Sequence, residues 1–233
     1  IYGNWFYRIP LCGVMVGGGR DNMIENNVFS ECTPAIHIDD RWDAYCWDVM
    51  QQRLEAMNYK EPPYSERYPE LLTIGDDPRT PANNHVEKNV IAYTKDEFRG
   101  LSTTAPNDNK GIIYDMSGFD AASTVVKGNL IDLGALPIRV FFRAYKGKDP
   151  AGDLTWEQWR EKGFDAGSVT GPAEFIDSAN DDYRIKRFAK AAATLKLEPI
   201  PADRIGLYQD EFRATWPVDK DTRKDGADNK EWK

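Results

Sequence analysis

The run Ala35-Ile36-His37-Ile38-Asp39-Asp40 places an imidazole and a carboxylate two residues apart in alternation with apolar side chains. In an extended strand that spacing puts His37 and Asp39 on one face and Ile36 and Ile38 on the other. A histidine beside carboxylates is the material of general acid–base catalysis. Asp40 and Arg41 follow directly, then Trp42, Tyr45 and Trp47. Upstream, Gly17-Gly18-Gly19 precedes Arg20 and Asp21, and a glycine patch leaves room for a ligand to approach the backbone. Asp39 with either Asp21 or Asp40 is the candidate carboxylate pair, and His37 and Arg20 orient substrate or tune the acid. Gly18, Arg41, Trp42 and Trp47 are candidate substrate contacts. Carboxylates with aromatic neighbours suit sugars: glycoside hydrolysis uses two carboxyl groups, and the apolar faces of sugar rings pack on Trp and Tyr.

Each of these residues also has a structural reading. Asp39-Asp40-Arg41 reads as a turn with local ion pairing, and His37 as a structural hydrogen-bonder. The glycines read as a tight bend, and Trp42 and Trp47 as anchors for the segment that follows. Their clustering is what marks a site. Asp115 and Asp120, which flank Met-Ser-Gly-Phe, are within reach of the same groove from a later coil but are expected at solvated loop positions, and Asp76-Asp77-Pro78 as a turn. Cys12, Cys32 and Cys46 lack metal-ligand spacing and read as buried thiols, with a Cys12–Cys32 bridge unsupported. No metal site and no resident cofactor are expected from the spacing of these residues.

The elements that must position these groups form a repeat. Val14-Met-Val-Gly17 and Ile36-His-Ile-Asp39 are short strands one period of about 22 residues apart, the spacing of a coil in a parallel β-helix. Val14, Val16, Ile36 and Ile38 then face inward, and Met15, Gly17, His37 and Asp39 outward. A second signature is Asn followed by two apolar residues, as in Asn27-Val-Phe29, Asn89-Val-Ile91 and Asn129-Leu-Ile131. Asn tolerates the left-handed conformation at a bend, and stacked Asn side chains can share hydrogen bonds along the axis. Their role is therefore read as structural. The same reading covers the repeat-equivalent Glu25 and Glu87, and His85. An antiparallel sandwich explains the recurring Asn less well. The unequal spacing of the three copies predicts insertions near 41–80 and 95–112, as loops on one face of the solenoid.

The expected fold is all-β: a right-handed parallel β-helix (solenoid) over residues 1–145 with these loop insertions, followed by a small α-containing C-terminal cap over 146–216. Leu136–Phe142 is the last strong strand before the cap; within it, Thr155-Trp-Glu-Gln158 has capping-box spacing, and 182–196 has helical apolar spacing. Residues 217–233 form a charged tail, expected to be flexible. The net charge of −8 argues against nucleic acid as partner, since that affinity comes from Lys and Arg. No apolar run is long enough for a membrane helix, and no signal peptide is visible. The strand-like start at Ile1 without a cap predicts that upstream β-helix coils of a longer parent chain precede this segment.

In Gly18–Phe29, Ala35–Asp39, Pro62–Leu71 and Pro201–Arg213 the chain resembles bacterial pectate-lyase-like parallel β-helix proteins of the carbohydrate-active kind. The resemblance implies an exported bacterial protein, secreted, periplasmic or at the cell surface, with a polysaccharide or oligosaccharide as substrate. It does not map catalytic positions. The first expectation is a glycoside hydrolase using paired carboxylates in a groove. The alternative is a polysaccharide lyase, with His37 as base, Arg20 or Arg41 neutralising a uronate, and Ca²⁺ on Asp39 and Asp40. A non-catalytic glycan-binding spike is the third.

Overall fold

The repeat becomes three stacked parallel sheets. The computed structural model describes residues 1–40, 47–74, 80–94, 111–143 and 152–201. The chain divides into a unit over Ile1–Ile200 and another over Pro201–Lys233. The expected tail (217–233), most of the 95–112 insertion and nearly all of the Pro201–Arg213 match lie outside the described residues.

The first sheet contains β1 (Trp5–Tyr7), β4 (Val28–Ser30), β7 (Val90–Ala92), β10 (Leu130–Asp132) and β13 (Val169–Thr170), in that order and parallel throughout. The second contains β2 (Val14–Gly17), β5 (Ile36–Asp39), β8 (Ile112–Ser117) and β11 (Arg139–Arg143) in parallel, with β12 (Gly152–Thr155) as an antiparallel edge. The third, from β3 (Met23–Glu25), β6 (His85–Glu87) and β9 (Val125–Lys127), is parallel. A small antiparallel pair follows, β14 (Phe175–Asp177) with β15 (Asp182–Ile185). Each coil visits the second, third and first sheets in turn, so equivalent strands stack as in a β-helix-like solenoid.

Period-two alternation explains what the core contains. Val14 pairs with Ile36, and Ile36 with Tyr114, while Ile24, Val86 and Val126 form the matching file on the third sheet. All six are buried together. On the first sheet Phe29, Ile91 and Ile131 enter the same core, whereas their neighbours Val28, Val90 and Leu130 belong to a second cluster with Phe175 and Tyr183. That sheet is covered on both faces, which is why two apolar residues follow each Asn instead of one.

The Asn residues tie the coils together. Asn27 donates from its backbone N–H and its Nδ2 to Asn89 Oδ1 at 3.1 and 3.0 Å. Asn89 repeats this towards Asn129 Oδ1 at 2.9 and 3.2 Å. The file ends on Asp165, whose Oδ1 accepts from Asn129 Nδ2 and whose Oδ2 accepts from Trp159 Nε1 at 2.7 Å. Burial pushes the Asp165 carboxyl up, against bonds from Ser168, Trp159 and Asn129 that pull it down. Trp159 is fully buried and stacks on Phe164 at 4.1 Å, closing the end of the core.

The all-β right-handed solenoid, with helix confined to a C-terminal cap, is corrected: the protein is mixed α/β. Between β5 and β6 lie α1 (Trp47–Ala56) and α2 (Tyr64–Arg67), followed by a 3₁₀ turn over Pro69–Thr73. The α1 sequence is dominated by Met, Gln, Arg, Leu, Glu and Ala, which lose little side-chain freedom in a helix. Asp48 in its first turn and Arg53 in its last suit the helix dipole. Later, α3 (Trp156–Glu161) opens on a complete capping box between Thr155 and Gln158. The helix expected over 182–196 is also corrected. Residues 182–185 are β15, and only α4 (Lys190–Leu195) is helical. After Leu136–Phe142 the strands are short, and β12 and β13 extend two of the sheets.

Candidate functional site

The outward face of the second sheet carries the chemistry. On β5, Ile36 and Ile38 enter the core, which leaves His37 and Asp39 on the other face. On β8, Tyr114 and Met116 are the inward residues, so Asp115 and Ser117 stand beside the β5 pair. His37 and Asp115 are register partners. His37 Nε2 lies 3.0 Å from Asp39 Oδ2, and its Nδ1 lies 3.8 Å from Asp115 Oδ2. Ser117 Oγ donates to Asp115 Oδ1 at 3.1 Å. The imidazole thus stands in a file of two carboxylates, one on its own strand and one on the next. His37, Asp115 and Ser117 are buried; the Asp39 side chain, 15% exposed, is the edge of the cluster that meets solvent.

Gly17 is the register partner of Asp39 on β2. Gly17 contributes no side chain at that register position. Gly18 has φ of +75° and donates its N–H to the Asp39 carbonyl at 2.7 Å. Its part is to anchor the end of β5 through the backbone.

The structure separates the other expected members. Asp21 is exposed, in a left-handed turn, and accepts from Asn83 Nδ2 at 3.0 Å. Arg20 bridges to Ala82 and donates from its guanidinium to the Thr80 carbonyl at 3.2 Å. Both serve the corner between the second and third sheets. Asp40 is buried and ion-paired with Arg143 at the end of β11. That pair lies over Gly118, where any Cβ would run into the Asp40 carboxyl. Asp40 therefore clamps the strand ends, while Asp39 faces His37. Arg41 and Trp42 lie outside the described residues, as does Asp76-Asp77-Pro78, and Trp47 is the first residue of α1.

Asp115 was expected in a solvated loop and is instead 2% exposed within β8. The signal was present in the chain. Tyr114-Asp-Met-Ser117 repeats the apolar-polar-apolar-polar order of Ile36-His-Ile-Asp39, and both are strands of one sheet.

Among the described residues no group of three or more His, Cys, Asp or Glu side chains could hold a metal ion. Asp39 and Asp40, the expected Ca²⁺ ligands of a lyase, turn to different partners. Among the described residues no helix is long and apolar enough to cross a membrane. Comparison with family models, with curated proteins and with solved structures found no match to this chain.

Proposed function

We propose that this chain belongs to a carbohydrate-active enzyme that hydrolyses glycosidic bonds, with Asp39 and Asp115 as its carboxyl pair and His37 between them. The observation that carries the reading is the Asp39–His37–Asp115 file at outward positions of the sheet. These positions add nothing to the apolar core, and burying charged groups there is costly unless they are paired. One imidazole ring with contacts of 3.0 and 3.8 Å keeps the two carboxyl groups within about 9 Å of each other. Both the retaining and the inverting separations, roughly 5–9.5 Å, fall essentially within that limit.

In this reading Asp39, at the solvent edge, donates a proton to the leaving glycosidic oxygen as the bond to the anomeric carbon breaks. A water adds to that carbon and surrenders a proton to the carboxylate–imidazole pair. The net change is one water added. The resemblance to carbohydrate-active solenoid proteins supports the substrate class, and the partial exposure of the Asp39 side chain supports access of substrate to it. An exported location belongs to the same proposal. Hydrolysis is favoured over Ca²⁺-assisted β-elimination because Asp39 and Asp40, the acids such a lyase would place on the ion, turn to different partners.

The test is incubation of the full chain with a panel of plant and bacterial glycans, followed by product mass analysis. Products that gain water support the reading. Asp39→Asn and Asp115→Asn should then lose turnover while keeping the native circular dichroism. Full activity in both variants, or an unsaturated ultraviolet-absorbing product, overturns it.

A further inference from the structure

A second concave region lies on the first sheet, away from the acid–base cluster. Val28 and Val90 form its floor, and Ile185, Ala192, Leu197 and Ile200 line it from the C-terminal segment. Its volume is about 440 Å³. Packed interiors leave few voids larger than a water molecule, whereas small-molecule sites begin near 300 Å³. The cleft exists because α4 presents alanines to it. Ala191 and Leu195 of α4 pack on the cluster formed by Val28, Val90 and Tyr183, while Ala192 and Ala193 line the cleft with small side chains. One end is closed by the backbone of Glu198, whose N–H donates to Asn26 Oδ1 at 2.9 Å and whose carbonyl accepts from Asn26 Nδ2 at 3.1 Å.

The charge around it runs against that of the chain. The protein carries −8 overall, yet Lys88, Arg184, Lys186, Arg187 and Lys196 all line this cleft. Among the described residues that line it Glu198 is the one acid, and its carboxylate accepts from Tyr2. Lys88 and Arg184 are ion-paired with Glu25 and Asp182. Lys186 and Lys196 are exposed cations at the mouth. An apolar floor of aliphatic residues with Trp5 and Tyr183 beside them, rimmed by cations, fits a hydrocarbon chain that ends in an anion.

We infer that this cleft binds a single-chain aliphatic carboxylate, its chain on Val28, Val90 and Leu197 and its headgroup at Lys186 and Lys196. The inference is independent of the glycosidase reading, since it uses none of the residues of the second sheet.

The probe is dodecanoate, titrated calorimetrically into the full chain below its micelle concentration, with dodecanol as the neutral comparison. Saturable binding of dodecanoate is expected, with dodecanol about tenfold weaker or more. Lys186→Glu with Lys196→Glu should weaken dodecanoate by at least about tenfold and leave the thermal midpoint unchanged, both side chains being exposed. Ala192→Phe should fill the cleft and abolish binding. No saturable binding, equal binding of dodecanol, or binding that survives Ala192→Phe in a folded variant overturns the assignment.

Discussion

His37 and Asp115 lie directly opposite each other on neighbouring parallel strands, with Nδ1 3.8 Å from Oδ2. The ladder brings them together although the two helices between β5 and β6, and a further coil, separate them in the chain. The solenoid can therefore gain or lose whole segments between coils without moving the pair.

If that file works as an acid–base unit, the imidazole is indispensable to it. His37→Asn keeps a polar side chain of smaller size between the carboxylates but cannot carry a proton. Turnover of a responsive glycan should fall by about 10²–10⁴, the usual contribution of a positioned acid–base group. Circular dichroism establishes that the variant is folded. A folded variant with unchanged turnover removes His37 from the chemistry.

Gly118 and Asp40 form a second dependent pair. Gly118 has φ of +61°, and an added Cβ would collide with the Asp40 carboxyl that pairs with Arg143. Gly118→Ala should cost about 1–3 kcal/mol from backbone strain and loss of that clamp. Chemical denaturation of Gly118→Ala, Asp40→Ala and the double variant measures the coupling. The double variant should be less destabilised than the sum of the single ones. Strict additivity would show that the contact carries no energy.

The alternation of Ile36-His37-Ile38-Asp39 and the 22-residue offset from Val14 are enough to place that strand and its faces, because side-chain direction in a strand has period two. The recurring Asn likewise announces the buried file, since few other side chains can donate to and accept from the coils on both sides. The strand position of Asp115 is harder to read for a physical reason. The repeat shows in the Asn motif, which sits at the corner before the first sheet, and the distance from there to the second sheet varies with each loop. Asp115 therefore has no fixed offset from the motif, and Met-Ser-Gly-Phe beside it reads as a turn. The helices within 47–67 are less legible still, since a lack of strand alternation fits loop and helix alike. In 182–196, Tyr183 and Ile185 fit period two as well as a helical stripe, and pairing with β14 decides for the strand.

The Asn file makes a stability prediction that contrasts two chemically identical substitutions. Buried Asn89 accepts from Asn27 through Oδ1 and donates through Nδ2 to Asn129 Oδ1 and, at 2.8 Å, to the Ile24 carbonyl. Asn89→Ala strands several of these partners in a buried site, at about 1–3 kcal/mol for each buried group left unsatisfied. A loss of more than about 3 kcal/mol is expected in urea denaturation. Asn180, whose Nδ2 reaches Asp177 at the surface, should cost no more than about 0.5 kcal/mol when changed to Ala. Similar losses for the two would mean that the file is not a source of stability.

Cys32 links burial to alkaline stability. Burial pushes its thiol from 9.0 up to about 11, against a backbone hydrogen bond at Ile9 that lowers it. Above pH 9 the unfolded chain releases this proton, while the folded chain keeps it until about pH 11. The unfolded state then binds fewer protons, so stability falls as pH rises through that window. The full loss approaches about 3 kcal/mol, at roughly 1.4 kcal/mol for each pH unit of difference. Burial raises the phenols of Tyr93 and Tyr114 from 10.0, which adds a slope of the same sign at higher pH. Comparison of pH 8 with pH 10 therefore isolates the thiol best. Cys32→Ala costs packing energy at both values but removes the thiol's part of the slope. The urea midpoint of the variant should fall by less between pH 8 and pH 10 than that of the parent. An equal fall in both would mean that the Cys32 thiol ionises as readily in the folded chain as in the unfolded one, and that its burial beside Ser30 and Ile9 does not protect the proton.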